Sequence, residues 1–313
     1  MSRLKEILII VGWLLLLTAL LPLGCSSQSS ESTTTSTSTS TTTTSTLSST
    51  TTSTTITTTT TLSPGAIIRL YYTYSPSGSK GNDRAYGCAY STNGVNFTVE
   101  SYSLLAADYL TDPDVFKESA GHWVMLYSKA TSPSTPSTLF KAICTSPIGS
   151  FETDINFIGD LGNICSTLNV NGHFYTYTAS SEGINVCSYE AGAPRLSYIR
   201  TITEQGFVDP SVIQISANRF ILYAKTFSGN TCTAESSDGV NNWTSPLTLF
   251  TSAEVPGAVY INNTIYLYYT DFSQSPSPIV VRTSADNGAS YSSPLNITGL
   301  PESACDPDPV VYE

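Results

Sequence analysis

The sequence predicts an all-β domain, a five-bladed β-propeller closed by its C-terminal strand, and three observations carry that prediction. A unit of strands recurs at a spacing of roughly 45–50 residues, the size of a four-stranded blade. The unit opens on Asp-Pro in "TDPDVF" (111–116), "VDPSVI" (208–213) and "CDPDPV" (305–310). Outside the first 25 residues no window carries apolar residues at helical spacing, so strands are the only regular element on offer.

Each copy has an opening strand, a Tyr-rich second strand and a third strand ending in a Ser/Asp/Asn-Gly turn. The copies run "TDPDVFKESAGHWVMLYSK…TLFKAICTSPIGSF", "ICSTLNVNGHFYTYTA…GINVCSYEAG", "VDPSVIQISANRFILYAK…NTCTAESSDGVNNW" and "EVPGAVYINNTIYLYYTD…PIVVRTSADNGASY". The fifth is split. "AIIRLYYTYS…RAYGCAYSTNGVNF" supplies second and third strands without a first, and "CDPDPVVYE" supplies a first strand alone. Residues 306–312 are therefore expected to pair with 66–74 and close the ring, removing the open sheet edges that invite aggregation.

The turns "SSDGVNNW" (236–243) and "SADNGASY" (284–291), with the looser "STNGVNF" (91–97), have the composition of the Asp-box. Ser and Asp side chains bond turn amides, Gly takes a positive φ and the aromatic ring packs into the blade. These turns mark blades and imply no chemistry.

The blades occupy 64–313. Residues 1–25 combine basic Arg3 and Lys5 with an apolar run from Ile7 to Leu21, and Gly24 precedes Cys25: the layout of a secretory signal. Its end resembles the lipobox of bacterial lipoproteins, although Pro22 and Leu23 depart from that pattern. Residues 26–63 are almost wholly Ser and Thr and read as a stalk that cannot bury a core. The expected protein is thus exported and held at a cell surface or membrane by its N-terminal lipid or signal anchor. Sequons stand at Asn96, Asn242, Asn262 and Asn296.

A net charge of −11 with scattered Lys and Arg argues against a nucleic-acid partner. Six cysteines follow Cys25 (Cys88, Cys144, Cys165, Cys187, Cys232, Cys305), and an even number in an exported domain predicts disulfides. No Cys-x-x-Cys or Cys/His cluster suggests zinc. His122 and His173 both follow a turn Gly at the start of second strands, which makes them structural rather than members of a triad.

In a propeller the opening strands line the central channel and all begin at one face. The residues at those openings, Asp306, Asp112, Cys165, Asp209 and Glu254 with Val255, should ring one mouth. Each Asp-Pro alone is explained by an edge strand that tolerates Pro. Four carboxylates in one funnel repel, and need a counterion, a shared proton or a ligand.

Five blades opening with D-P or E-x-P resemble the propeller glycoside hydrolases: family 43 arabinanases and xylosidases, and the invertase and levansucrase families. The resemblance spans about residues 66–313. It implies carboxylate catalysis at the mouth, with an Asp base, an Asp that tunes its neighbours and a Glu acid. Matched position by position, Asp306 and Asp112 take base and modulator with Cys165-Ser166 in the acid's place. In the other register Asp209 and Glu254 take modulator and acid, with Cys165 in the base's place. The W-M-N-D-P-N-G and E-C motifs of the invertases are absent.

The candidate catalytic residues are therefore Glu254, Asp209, Asp306 and Asp112, with Glu254 the expected acid. No cofactor is required, and Ca²⁺ is a candidate ion for the central channel. The expected partner is carbohydrate, and the expected state a monomer. The sequence leaves two further readings open: a non-catalytic glycan-binding propeller whose Tyr rings stack on sugars, and an adhesion module with a structural acidic ring.

Overall fold

The computed structural model describes residue 62 and residues 65–78, 82–132 and 134–312; the signal segment, Cys25 and nearly all of the stalk lie outside the described residues. Twenty strands form five four-stranded antiparallel sheets, and no helix occurs among the described residues. In chain order they begin with β1 (Ile67–Tyr74), β2 (Asp83–Ser91) and β3 (Thr98–Asp108). The second blade is β4 (Leu110–Ser119), β5 (His122–Lys129), β6 (Thr138–Cys144) and β7 (Glu152–Thr153). The third is β8 (Cys165–Val170), β9 (His173–Ser180), β10 (Gly183–Tyr189) and β11 (Ser197–Thr201). The fourth is β12 (Phe207–Ser216), β13 (Arg219–Thr226), β14 (Thr231–Ser236) and β15 (Leu247–Phe250). The fifth is β16 (Glu254–Ile261), β17 (Thr264–Thr270), β18 (Ile279–Ser284) and β19 (Leu295–Asn296), and the chain ends in β20 (Cys305–Tyr312).

β20 completes the first blade. It pairs antiparallel with β1 from Ile67↔Tyr312 to Thr73↔Cys305, giving the order β20-β1-β2-β3. The expected closure by the C-terminal strand is what the structure shows.

The core explains why the second strands read as continuous apolar runs rather than alternating ones. Each lies in the middle of a blade with a neighbouring blade on either face, so both faces are buried. β17, "TIYLYYT", is buried at every position. β1 sends Leu70 and Tyr72 toward Tyr266 and Tyr268 of the fifth blade, and Tyr71 toward Trp123 and Met125 of the second. Val124 and Leu126 then face Phe174 and Cys187, Tyr177 and Val186 face Leu222, and Ile221 and Tyr223 face Ile265 and Leu267. Five apolar layers between blades thus replace a single central core.

The Asp-box turns behave as expected. Ser236 Oγ accepts from the amides of Asp238 and Gly239, Asp238 Oδ1 accepts from Val240 and Asn241, and Gly239 sits at φ 75°. Trp243 packs edge-on against Tyr177 of the preceding blade. Ser91 and Asn93 build the same turn around Gly94.

One expectation fails. All six domain cysteines are free thiols. Cys88 and Cys305 lie on strands separated by β1, and Cys165 and Cys187 on strands separated by β9. Two strand spacings, nearly 10 Å, exceed the reach of a disulfide. Cys144 and Cys232 belong to different blades. The cysteines serve as small apolar fillers, and Cys88, Cys165, Cys187 and Cys232 are buried.

Candidate functional site

Asp-Pro at a strand opening produces a β-bulge. The register with the second strand shifts between Thr111 and Pro113, between Val208 and Ser211, between Glu254 and Gly257, and opposite Tyr71–Thr73 in the first blade. The residue before each Pro is left-handed: Asp112 and Asp209 at φ 51°, Asp306 at 52° and Val255 at 53°. Asp tolerates that conformation and Pro at a bulge forfeits no ladder bond. A bulge re-aims the side chain it carries, so the Asp carboxylates turn into the channel mouth. β8 opens without Asp-Pro, and its register with β9 runs unbroken from Cys165↔Thr178 to Val170↔His173.

A ring of bonds between blades fixes the true equivalences. Asp308 Oδ2 accepts from Val115 N at 2.8 Å, and Asp114 Oδ1 from Thr167 N at 3.0 Å. Ser166 Oγ accepts from Val212 N at 3.2 Å, and Ser211 Oγ from Ala258 N at 2.9 Å. By this count Asp112, Ile164, Asp209, Val255 and Asp306 share one position. Two sequence assignments therefore move by a residue. Cys165 stands where the other blades have Pro, and Glu254 lies one residue before the Asp position. Three equivalent aspartates ring the mouth, and Glu254 reaches it from the outer end of β16.

The space enclosed between Asp112, Asp209 and Asp306 is about 30 Å³. Burial, reinforced by the charges of Asp306 and Asp209, holds Asp112 well above the usual carboxylate range. Asp209 is also raised by burial, against the pull of Lys225. The Lys225 ammonium lies 3.2 Å from Asp209 Oδ2 and 3.2 Å from Glu254 Oε2, bridging the fourth and fifth blades. Burial opposes its charge, but the two carboxylates outweigh it and raise its pKa.

Lys225 went unnoticed in the sequence, although the repeat marks it. It pairs with Val208 as Thr270 pairs with Glu254, Ser128 with Thr111 and Thr73 with Cys305; in the third blade Ala179 takes this place, bonded through its backbone to Asn163 and Ile164. Three of the other blades hold a fully buried hydroxyl at this place, Thr73, Ser128 and Thr270, and the third blade holds the buried Ala179. Only the fourth blade has a cation there, and it stands among the carboxylates.

The repulsion expected at the mouth is thus met by one Lys and shows itself in the raised pKa of the buried Asp112 carboxyl. Among the described residues no group of three His, Cys, Asp or Glu side chains is placed to hold a metal ion. His122 and His173 open β5 and β9 at the hairpins opposite the mouth, and His122 Nδ1 lies 2.6 Å from Glu118.

Two features surround the carboxylates. A cavity of about 760 Å³ opens beside Asp306, between the first and fifth blades, lined by Tyr74, Tyr102 and Phe272 among others. The loops after β13 and β17 each carry an exposed Phe two residues beyond the Lys225/Thr270 position. Phe227 is 76% exposed and Phe272 48%. A Cβ at Gly229 would stand 2.8 Å from Glu254 Oε1, so the Phe227 loop rests on that carboxylate. Below the mouth the channel widens again to about 540 Å³, lined by Asp114 and Asp308.

No family model and no curated protein sequence matches the chain. Solved structures do. An endo-1,4-beta-xylanase from Bacteroides thetaiotaomicron superposes with a TM-score of 0.53 at 13% identity, over 73% of this chain and 92% of that one. The alpha-L-arabinanase of Cellvibrio cellulosa superposes with a TM-score of 0.52 at 11% identity, over 65% and 89%. The same arabinanase complexed with arabinohexaose gives 0.50. The fold is a five-bladed β-propeller similar to those arabinanase and xylanase structures, and the likeness expected from the Asp-Pro repeat holds for the fold.

Proposed function

We propose that the chain acts on glycans at the channel mouth, as a glycoside hydrolase-like enzyme exported and tethered by its N-terminal segment. One observation carries the reading: carboxyls in two different environments stand side by side. Asp112 has its pKa raised by burial and by the charges of Asp306 and Asp209, while Asp209 and Glu254 face the Lys225 ammonium. Glycosidic cleavage uses that pair, an acid for the leaving oxygen and an ionised partner for water or the sugar. With Glu254 beside Lys225, the acid's part falls to Asp112, and Glu254 and Asp306 are the candidates for the ionised partner. The exposed rings of Phe227 and Phe272 offer faces on which a sugar can stack.

A second reading, glycan binding without turnover, is favoured by the space of about 30 Å³ among the aspartates, which suits a water rather than a sugar ring. The test is turnover of arabinan, xylan and aryl arabinosides, xylosides and fructosides by the whole protein. Asp112→Asn and Glu254→Gln are each expected to lower kcat/KM by about 10²–10⁴-fold, the range for acid–base catalysis. Wild-type binding without turnover, lost on Phe227→Ala, would replace the first reading with the second. For the tether, Cys25→Ser is expected to release the protein from membranes.

A further inference from the structure

The cavity between the first and fifth blades contains a cation that the fold does not use. Arg84, on β2, lines it together with Tyr74, Tyr102, Phe272 and Asp306. Its guanidinium takes part in none of the ion pairs among the described residues. Its one partner among the described residues is Cys305 Sγ, 3.7 Å from Nη1, a weak acceptor. Arg69 and Arg219, by contrast, each grip a glutamate through two nitrogens, Arg69 with Glu100 and Arg219 with Glu235. Arg84 thus keeps its planar fork of donors free.

A second polar group in the same cavity is also unspent. Thr270 is fully buried, and its Oγ1 has no hydrogen-bond partner among the described residues. An unmatched buried hydroxyl is a net loss in the free protein unless water or a ligand meets it. The aromatic side chains complete the lining: Tyr102 is 59% exposed, and Tyr74 packs edge-on against it at 6.3 Å between centroids.

We propose that this cavity is a subsite for a hexuronate residue of an acidic glycan, with Arg84 as the residue that sets the specificity. The sugar carboxylate lies on the Arg84 fork, its ring faces Tyr102 or Phe272, and a sugar hydroxyl meets Thr270 Oγ1. The need for a cation is general. A protein of net charge −11, with Asp306 beside the cavity, repels an anionic chain unless one strong local cation offsets the field. A charge-assisted bidentate bond does so and discriminates against a neutral sugar. The inference rests on the reading that the mouth binds glycans, and it specifies which ones.

The test is equilibrium binding of the full chain to trigalacturonate, mannuronate trimer and a glucuronate-bearing xylo-oligosaccharide, set against neutral galacto-, manno- and xylo-oligosaccharides of equal length. At least one acidic probe is expected to bind ten-fold or more tightly than its neutral counterpart, with affinity falling as salt rises. Arg84→Gln is expected to abolish that preference while leaving neutral-sugar binding and the melting temperature unchanged. Arg84→Lys retains part of the preference, and it reads the same contrast should the Gln variant fold poorly. Thr270→Val weakens acidic and neutral probes alike. Equal or better binding of the neutral probes by the wild type, or an undiminished preference in both Arg84 variants, overturns the proposal and leaves the glycan reading standing. Absence of binding to any probe, acidic or neutral, removes both.

Discussion

Replacing Lys225 with the Thr that two other blades carry at its position separates a functional cation from a structural filler. Lys225→Thr leaves Asp209, which is 5% exposed, without its counterion and also frees Glu254. Breaking a buried pair by removing one partner costs about 3–5 kcal/mol. The more exposed Glu254 pair adds at most about 1 kcal/mol. A loss of about 3 kcal/mol at pH 7 lowers the melting temperature of a domain this size by about 6–12 °C.

The pH dependence discriminates further. Asp209 titrates above its ordinary value in the folded protein, chiefly because it is buried. A raised carboxyl binds its proton more tightly folded than unfolded, so its penalty is absent below the unfolded pKa and grows as pH rises through the folded one. Removing Lys225 raises the folded value further and widens that window upward. The wild-type lysine, itself raised, keeps its charge throughout and loses its contribution only at alkaline pH. Calorimetric melts of wild type and Lys225→Thr at pH 4 and pH 7 should therefore converge at pH 4 and separate at pH 7. Equal separation at both values, or a difference under about 1 kcal/mol at pH 7, refutes the assignment of Lys225 as the counterion of the mouth.

Asp112→Asn removes a carboxyl held above its usual range by burial and by Asp306 and Asp209. It should stabilise the protein at pH 8, leave stability unchanged at pH 4, and lower kcat/KM by about 10²–10⁴-fold if the mouth is catalytic; denaturant titration at the two pH values reads the first part. Val255 is a β-branched residue at φ 53° where three other blades use Asp. Val255→Asn should raise stability by about 1 kcal/mol, because the left-handed conformation costs roughly 1–2 kcal/mol for an ordinary residue. Gly257→Ala would place a Cβ 2.1 Å from Pro307 O and 2.7 Å from Pro309 Cδ. It should destabilise by about 3 kcal/mol through overpacking, read as a lower denaturation midpoint.

The fold was legible because its repeat is written in residues that answer to local geometry. Asp-Pro specifies a bulged opening, Ser-x-Asp-Gly specifies a turn, and the Tyr-rich runs specify a strand covered on both faces. The split copy at the two ends of the domain then leaves ring closure as the way to complete a blade. The site was half legible. Asp112, Asp209 and Asp306 announce themselves by the motif, and they do ring one mouth. Glu254 was placed by the likeness of "EVPG" to the same motif, and the likeness is off by one residue, because Val255 occupies the left-handed position. Lys225 was missed because a lysine at the end of an apolar strand looks like a solvated cap; only the pairing register shows that its counterparts are small buried residues, three hydroxyls and Ala179. The disulfides were expected from compartment and number, whereas their formation depends on strand order, which the sequence expresses only after the blades are assembled.

The ring of side-chain bonds is informative where it breaks. Four junctions between blades are latched by Asp308, Asp114, Ser166 and Ser211, each accepting from an amide of the next opening strand. The fifth junction joins the fifth blade to β20, and there both halves of the latch are missing. Gly257 has no side chain to accept with, and Pro309 has no amide to donate. The two deletions match each other, since the Gly lets the backbone of β20 approach closely at Pro307. An unmatched donor or acceptor at that depth would cost more than the bond it replaced. Toward the fifth blade the closing strand is therefore held by close packing on Gly257 with no side-chain latch, while its ladder with β1 and the Asp308 bond to Val115 hold it on the other side. That leaves Asp306, carried on β20 next to the 760 Å³ cavity, on the one opening strand that is not pinned to its predecessor.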